Sequence, residues 1–493
     1  MSSLDEKEIK KVIWDIFGVF RGRLDTIRSL DYILSLIFIK YVSDLKCDID
    51  INRVTDNDSI LKELLSDIPD DMSFYSIYSG NDRDGIGERI NTALHFYDET
   101  IFQALYKCDG MIFNDIDFTS ERLGSRKDRN VFLNELMHVL SNREFKFTNY
   151  NNGTERIRVI CSILFEKMAS EAGLRVAEFY TPHGVSALLS ELVLPREGDS
   201  IYDPACGTGS LLLNAIHKIP YIEKHHNYNL YGQERIKSSW NIAYINMFLH
   251  GIYSCQIKLG DVFLNPQFQD SNGALKQFDI VLSNPPFSMP NWGHEEALSD
   301  RFGRFKLGVP PQSKADYAFI LHMIASMKED TGRMAVIVPH GVLFRGANEA
   351  LIRKNLIKEN LLDAVIGLPV RLFLSTNIPT AILIFRKKRM DSKILFIDST
   401  NFFENSKGRN FISAEIIDKI LEIFHKRNDV DNFSHIASLN EIESNDYNLN
   451  ITRYIKRTNE TQDIDVYSLI DEQQRLQAEL FSLEEEMKSF IDY

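Results

Sequence analysis

Phe278-Asp279-Ile280-Val281-Leu282-Ser283-Asn284-Pro285-Pro286-Phe287 is the stretch whose reading decides the fold. Residues 279–283 are mostly apolar and rich in branched side chains, as in a strand buried within a sheet. The strand ends at once, because Pro285 and Pro286 carry no N–H to continue a ladder. Asn284 therefore falls at the carboxyl end of a core strand, where open α/β sheets place their ligands. Its side-chain carbonyl, and backbone carbonyls directed by the Pro-Pro turn, are rigid acceptors followed by the aromatic face of Phe287. Such a set suits a planar group carrying an NH2, with Phe287 stacked on the ring. A plain turn with Phe287 merely packed is the competing reading, and the surrounding chain decides between them.

Working outward, residues 175 to 400 alternate short apolar strands with amphipathic helices. Strands are expected at 200–202, 230–233, 256–259, 279–283, 334–338, 364–366, 381–385 and 394–397. Helices are expected at 183–194, 209–218, 236–250, 315–328 and 347–358. This alternation predicts an α/β fold with a doubly wound, mainly parallel sheet. Residues 1–170 read instead as an all-helical domain, with apolar positions at three- and four-residue spacing in 9–20, 30–45, 131–140 and 157–172. The catalytic domain is expected over 171–410 and a helical region over 411–493. Near the end, Leu469, Leu476, Leu483 and Phe490 share one heptad position, while Gln473, Leu480 and Met487 share another. That is a short coiled-coil seam with one polar break, or else a helix packed on its own domain.

The composition bounds the rest. A chain of 493 residues, 44% hydrophobic and 26% charged, is an ordinary globular protein of two to four domains. Cys47, Cys108, Cys161, Cys206 and Cys255 are scattered, with no CxxC pair, which favours reduced thiols and offers no zinc site. The longest apolar run, around 32–39, ends at Lys40 and is too short to span a bilayer, and the N-terminus lacks a signal-peptide shape. A cytoplasmic protein with no membrane contact is expected. The net charge of −14 lacks the basic excess of a chain that grips DNA alone. Any nucleic-acid contact must come from a local basic patch or another subunit.

A second constellation surrounds Asp203-Pro-Ala-Cys-Gly207-Thr208-Gly209-Ser210, which reads as a strand end, a glycine turn and a helix start. The small residues allow close approach of a ligand. The spacing is neither the GxGxxG fingerprint nor a phosphate loop, and Asp203 would repel a phosphate while suiting an α-ammonium group. The next strand ends in Glu234, placed to accept from two ribose hydroxyls. After the third strand comes Gly260-Asp261-Val262-Phe263. There Asp261 can accept from an adenine amino group, while Val262 or Phe263 covers the ring. Ahead of the first strand stands Glu178-Phe179-Tyr180-Thr181-Pro182-His183. Its aromatics could hold a sulfonium by cation–π attraction, and Thr181 could cap the helix that follows, with Pro182 at its first position.

These residues carry a resemblance. Asp203-Pro-Ala-Cys-Gly-Thr-Gly with Asn284-Pro-Pro-Phe287 resembles amino-group DNA methyltransferases that use S-adenosyl-L-methionine. The order, with Phe179-Tyr-Thr-Pro first, is similar to that of their γ class. Pro339-His340, Gly341-Val-Leu-Phe-Arg345, Ala364-Val-Ile-Gly-Leu-Pro369 and Ile378-Pro-Thr380 sharpen it to the modification subunit of type I restriction-modification systems. The likeness covers about 170–390; Ser210, where Gly or Ala is common, is a departure.

The resemblance implies methyl transfer from S-adenosyl-L-methionine to N6 of a flipped adenine, with Asn284, Pro285, Pro286 and Phe287 as the catalytic turn. It implies cofactor contacts from Glu178–His183, Asp203, Gly207, Thr208, Gly209, Ser210, Glu234, Asp261 and Val262, and no metal. Cys206 lies in the cofactor turn and is no nucleophile. Double-stranded DNA, a specificity subunit serving two copies of this chain, and an ATP-dependent restriction subunit are the implied partners. The tail fits a family helix that contacts the specificity subunit. Cytosine N4, RNA or a protein glutamine as acceptor, or a catalytically silent assembly role, are the alternatives. Trp292, Arg301, Phe302, Arg304, Phe305 and Lys306 interleave aromatic and basic side chains beside the catalytic turn, as expected of a DNA-facing lid.

Overall fold

The computed structural model describes residues 3–50, 59–79, 85–108, 110–142, 145–147, 153–171, 181–217, 228–373, 376–406 and 409–456, with 473, 475–477 and 480. Up to residue 171 the described chain is helical, the main helices being Ser3–Phe20, Thr26–Asp50, Ile86–Tyr97, Arg126–Leu140 and Gly153–Glu171. The longest apolar run of the chain lies in Thr26–Asp50, whose Ile33, Leu34, Leu36, Ile37, Phe38 and Ile39 are all buried. From Ser29 to Asp44 this helix is buried on nearly every face, because it is the hub of the domain with neighbours on every side. Its one buried cation, Lys40, is paired with Asp44 at 2.7 Å. Among the described residues no helix is long and apolar enough to cross a membrane.

Phe38 also packs 5.0 Å from Phe248, a residue of the α/β half. The Tyr106 hydroxyl donates to the Ile252 carbonyl across the same boundary at 2.7 Å. The helical half and the sheet half therefore share one continuous core.

The α/β half holds β1 (Ser200–Asp203), β2 (Asn229–Glu234), β3 (Cys255–Leu259), β4 (Ile280–Ser283), β5 (Arg333–Pro339), β6 (Leu362–Gly367), β7 (Thr380–Arg386) and β8 (Ile394–Asp398). These are the eight strands expected from the sequence, each within two residues of its predicted bounds. With β11 (Ser434–Ala437) they form one sheet of order β11-β8-β6-β7-β5-β4-β1-β2-β3. Five of its eight pairings are parallel. β7 runs antiparallel between β5 and β6, because no crossover helix separates it from β6.

The order reverses between β1 and β4, and the crevice above their carboxyl ends is where such sheets bind ligands. Asp203 closes β1 and Asn284 follows β4, so the topology brings the two sequence constellations together.

After residue 400 the chain adds strands that the sequence reading did not name. β9 (Glu404–Ser406) and β10 (Arg409–Phe411) form a small antiparallel hairpin. The region after 410 is not purely helical: helix Ala414–Lys426 is there, but β11 adds an antiparallel edge to β8. Ser434-His-Ile-Ala carries no apolar alternation of its own; pairing with β8 makes it a strand. Most of the terminal heptad seam, including Leu469, Leu483, Met487 and Phe490, lies outside the described residues. Gln473, Leu476 and Leu480 are described as helical and exposed.

Candidate active site

A cavity of about 320 Å³ opens at the topological switch point. One end is built from the ends of β1, β2 and β3, the other from the turn after β4. Asp203 is 1% exposed. Its Oδ1 accepts from the Ser283 hydroxyl at 2.7 Å and from the Ala205 N–H at 3.0 Å. Burial, reinforced by the charge of Glu234, nevertheless pushes its pKa up to about 7. A carboxylate held so expensively is poised for a cationic ligand, whose charge would offset the desolvation.

Glu234 closes β2 and laces the turn together. Its Oε2 accepts from the Gly207 N–H at 2.9 Å and its Oε1 from the Ile236 N–H at 2.7 Å. Burial pushes its pKa upward. Asp261 turns its Oδ1 to the Phe263 N–H at 2.9 Å, and its Oδ2 lies 3.6 Å from Arg235. Val262 and Phe263 form an apolar wall with Phe319. Acidic strand ends around an apolar slot match a nucleoside carrying a cationic tail, and thus fit S-adenosyl-L-methionine.

The glycine turn shows why its residues are small. Gly207 has φ +54°, the left-handed region, and its N–H is the one Glu234 holds. Gly209, at φ +76°, does not line the cavity; a Cβ there would collide with Met247 of helix Lys237–Leu249. Its positive φ and this close approach to the helix both favour a residue without a side chain. Ser210 pairs its hydroxyl with that of Thr208 at 2.9 Å, so the departure from Gly or Ala is accommodated. Cys206 packs on Gly232, and burial pushes its thiol well above the ordinary range, as suits a structural cysteine.

At the other end, Asn284 Nδ2 donates to the Thr181 hydroxyl at 3.0 Å. That bond aims the amide and leaves Asn284 Oδ1 buried with no hydrogen-bond partner. A buried acceptor left unmade costs about 1–3 kcal/mol, and its retention at a cavity wall points to a donor supplied from outside. Phe287 is half-buried, lines the cavity, and is braced edge-on by Phe373 at 5.8 Å.

Thr181, Asp203, Gly207, Thr208, Ser210, Glu234, Asp261, Val262, Asn284, Pro286 and Phe287 all line the cavity. Pro285 is buried and is not among the lining residues. Thr181 is no cap: Pro182 is the N-cap of helix His183–Leu192 without a side-chain bond, and His183 is its first residue. His183 is exposed and faces a neighbouring cleft against helix Gly153–Glu171. Glu178, Phe179 and Tyr180 lie outside the described residues. Among those described, no group of three His, Cys, Asp or Glu residues could hold a metal.

The expected DNA-facing loop is half core. Trp292 and Phe305 are buried, and Trp292 Nε1 donates to the Pro311 carbonyl at 3.0 Å. Arg304 points inward, paired with Asp300 at 2.8 Å and donating to the Val262 and Phe263 carbonyls at 2.9 Å each. Only Arg301, Phe302 and Lys306 of the six reach solvent. Interleaved charge and aromatics look alike in sequence whether the arginine faces DNA or backbone carbonyls. Asp300, four residues before Arg304 and thus within reach of its guanidinium, was the readable sign. Ser288, Met289 and Phe319 were not foreseen as cavity residues.

Fold and site define a methyltransferase acting on an amino group. Comparison with known proteins makes the family specific. The family model "N-6 DNA Methylase" matches residues 159–463, and that of the HsdM N-terminal domain matches residues 9–140. The chain belongs to the N-6 DNA methylase family and is an adenine-N6 DNA methyltransferase of the type I modification-subunit kind. It is 28% identical to the type I restriction enzyme MpnII methylase subunit of Mycoplasma pneumoniae, over 98% of this chain and 97% of that one. It is 33% identical to the MjaVIII methylase subunit of Methanocaldococcus jannaschii, over 64% of this chain and 56% of the relative. The solved methyltransferase subunit of a Streptococcus thermophilus type I system superposes with a TM-score of 0.80 at 30% identity, covering 92% of this chain and 99% of that one.

Proposed function

We propose that the cavity binds S-adenosyl-L-methionine along β1–β3 and receives a flipped adenine at the Asn284–Phe287 turn. The observation that carries this reading is the buried, partnerless Oδ1 of Asn284 beside Phe287. Asp203 would hold the ammonium group, Glu234 the ribose, and Asp261 with Val262 the adenine of the cofactor. The bound cofactor supplies an electrophilic methyl group.

The chain's own residues do the rest by position. The N6 lone pair of adenine is delocalised into the ring and is a poor nucleophile. Accepting its N–H bonds at Asn284 Oδ1 and the Pro285 carbonyl favours a more tetrahedral nitrogen, localising the pair toward the methyl group. Phe287 stacks on the base and fixes its plane, and Thr181 keeps the amide from turning.

Asn284→Ala should leave cofactor affinity near normal in calorimetry while lowering methyl transfer by about 100-fold or more, since its oxygen acts in the transition state. Near-normal transfer would sink the assignment.

Partners follow from charge and from kinship. Specific site choice is assigned to a specificity subunit serving two copies of this chain, with double-stranded DNA as substrate and an ATP-dependent restriction subunit as a further partner. A net charge of −14 supports delegating phosphate contacts in this way. The domain plan proposed is helices over 1–170, catalysis from 171, and partner docking by the terminal helix.

A further inference from the structure

Gly341-Val-Leu-Phe-Arg345 carries likeness to the family without a role, and none of its five residues lines the cavity. The structure gives them a target. Ser288, directly after the catalytic turn, has φ +52°, a left-handed conformation uncommon for a residue with a side chain. Its N–H donates to Asp316 Oδ1 at 2.8 Å. Asp316 is 3% exposed and opens helix Asp316–Ala325. The residue before it, Ala315, donates its N–H to the Met289 carbonyl at 2.9 Å. The start of this helix thus grips both Ser288 and Met289, which do line the cavity.

Asp316 is held in turn by Arg345, whose Nη1 reaches Asp316 Oδ2 at 2.7 Å and Glu349 Oε1 at 3.2 Å. Arg345 Nη2 also approaches the Ser288 hydroxyl at 3.4 Å. Gly341 makes this possible, because a Cβ there would overlap the Arg345 guanidinium. The loop is locked further by Arg353, which donates to the Arg345 carbonyl at 3.0 Å, and by Tyr317, which donates to the Val342 carbonyl at 2.9 Å.

We propose that Asp316 and Arg345 are positioning residues for methyl transfer: the pair, a buried carboxylate clamped by a part-exposed guanidinium, holds Ser288 in its left-handed conformation and so fixes Pro286 and Phe287 against the target base. This rests on the target-base reading above. It adds that the turn is not rigid by its prolines alone. The prolines stiffen its start, whereas its exit needs a charged clamp. Loss of the clamp displaces the stacking face without touching the acidic strand ends proposed to hold the cofactor.

The test uses the full chain assembled with its specificity subunit, on duplex DNA carrying the target site. Asp316→Asn and Arg345→Met should lower the single-turnover transfer rate by about 10- to 100-fold, the scale of a small misplacement of reacting groups. Cofactor Kd should stay within about twofold, and Arg345→Lys should recover part of the rate. With 2-aminopurine at the target position, the fluorescence of the bound base should change in both variants, because its stacking partner has moved. If Asp316→Asn proves too unstable to purify, Gly341→Ala leaves both charges in place while displacing the guanidinium, and carries the same expectation. Unchanged transfer, or a loss of cofactor affinity as large as the loss of rate, overturns the proposal. If Asn284→Ala abolishes transfer while Arg345→Met does not, only this inference falls. If Asn284→Ala also transfers normally, the target-base reading falls with it.

Discussion

Asp203 carries a desolvation cost that a cationic ligand would offset. Its folded pKa of about 7 stands above the ordinary 3.8, so the unfolded chain gives up this proton first as pH rises. Its contribution to the stability of the ligand-free protein is present below about pH 4 and is lost as pH climbs through 7. A cationic ligand reverses the preference by favouring the carboxylate. Cofactor affinity should therefore weaken as pH falls below about 7, by up to about tenfold per unit, with proton release on binding at pH 6. Calorimetry in buffers of different ionisation enthalpy reads that proton. Asp203→Asn should bind weakly at all pH values and show neither the proton release nor the loss of thermal stability between pH 4 and 7. An unchanged pH profile in that variant would remove Asp203 from the ammonium site.

At the scale of elements, the loop after β4 and the turn after β3 are one unit, because Arg304 of the former hydrogen-bonds the carbonyls of Val262 and Phe263 in the latter. Arg304 and Asp300 have side chains only 4% and 5% exposed, so removing the cation strands a buried carboxylate. Arg304→Ala should cost about 3–5 kcal/mol of stability and weaken cofactor binding by loosening the Asp261–Phe263 turn. Arg304→Lys should rescue little, since an ammonium cannot reach two carbonyls and a carboxylate as a planar fork does. Arg301→Ala, at an exposed position of the same loop, should leave cofactor affinity untouched. Equal affinities across the three variants, measured by titration, would separate loop from turn.

The whole molecule behaves as helical and sheet halves sealed by a common core. Phe248 meets Phe38 at 5.0 Å and Tyr41 at 6.1 Å, so it belongs to both halves. Phe248→Ala should destabilise the protein by about 3–5 kcal/mol, with both halves melting together. Two separate calorimetric transitions in the wild-type chain would contradict a shared core. The charge of −14 is likewise a property of the whole chain. Truncation after Asp463 should abolish assembly with a specificity subunit while sparing cofactor binding, because the heptad pattern of the sequence from Leu469 to Phe490 would place an apolar stripe on a helix, costly to leave in water. Normal assembly of the truncated chain would move the docking surface elsewhere.

Local chemistry determined a great deal by itself. Prolines that cannot extend a ladder marked the end of β4, glycines marked the turn after β1, branched apolar runs marked β4 to β8, and short segments with scattered apolar residues marked β1 to β3. Each signal acts within a few residues of its own position, so strand ends and the acidic groups on them were legible, and with them the crevice where ligands bind. Contacts distant in sequence were decided only in three dimensions. β7 entered between β5 and β6, and Ser434–Ala437 became a strand, through pairing with partners that local patterning does not name. Thr181 serves as the acceptor for Asn284, 103 residues away, rather than as a cap. Arg304 faces carbonyls rather than solvent, because Asp300 and the β3 turn stand ready to accept it. A side chain's type states which bonds it can make; only the fold states which partners are within 3 Å to make them.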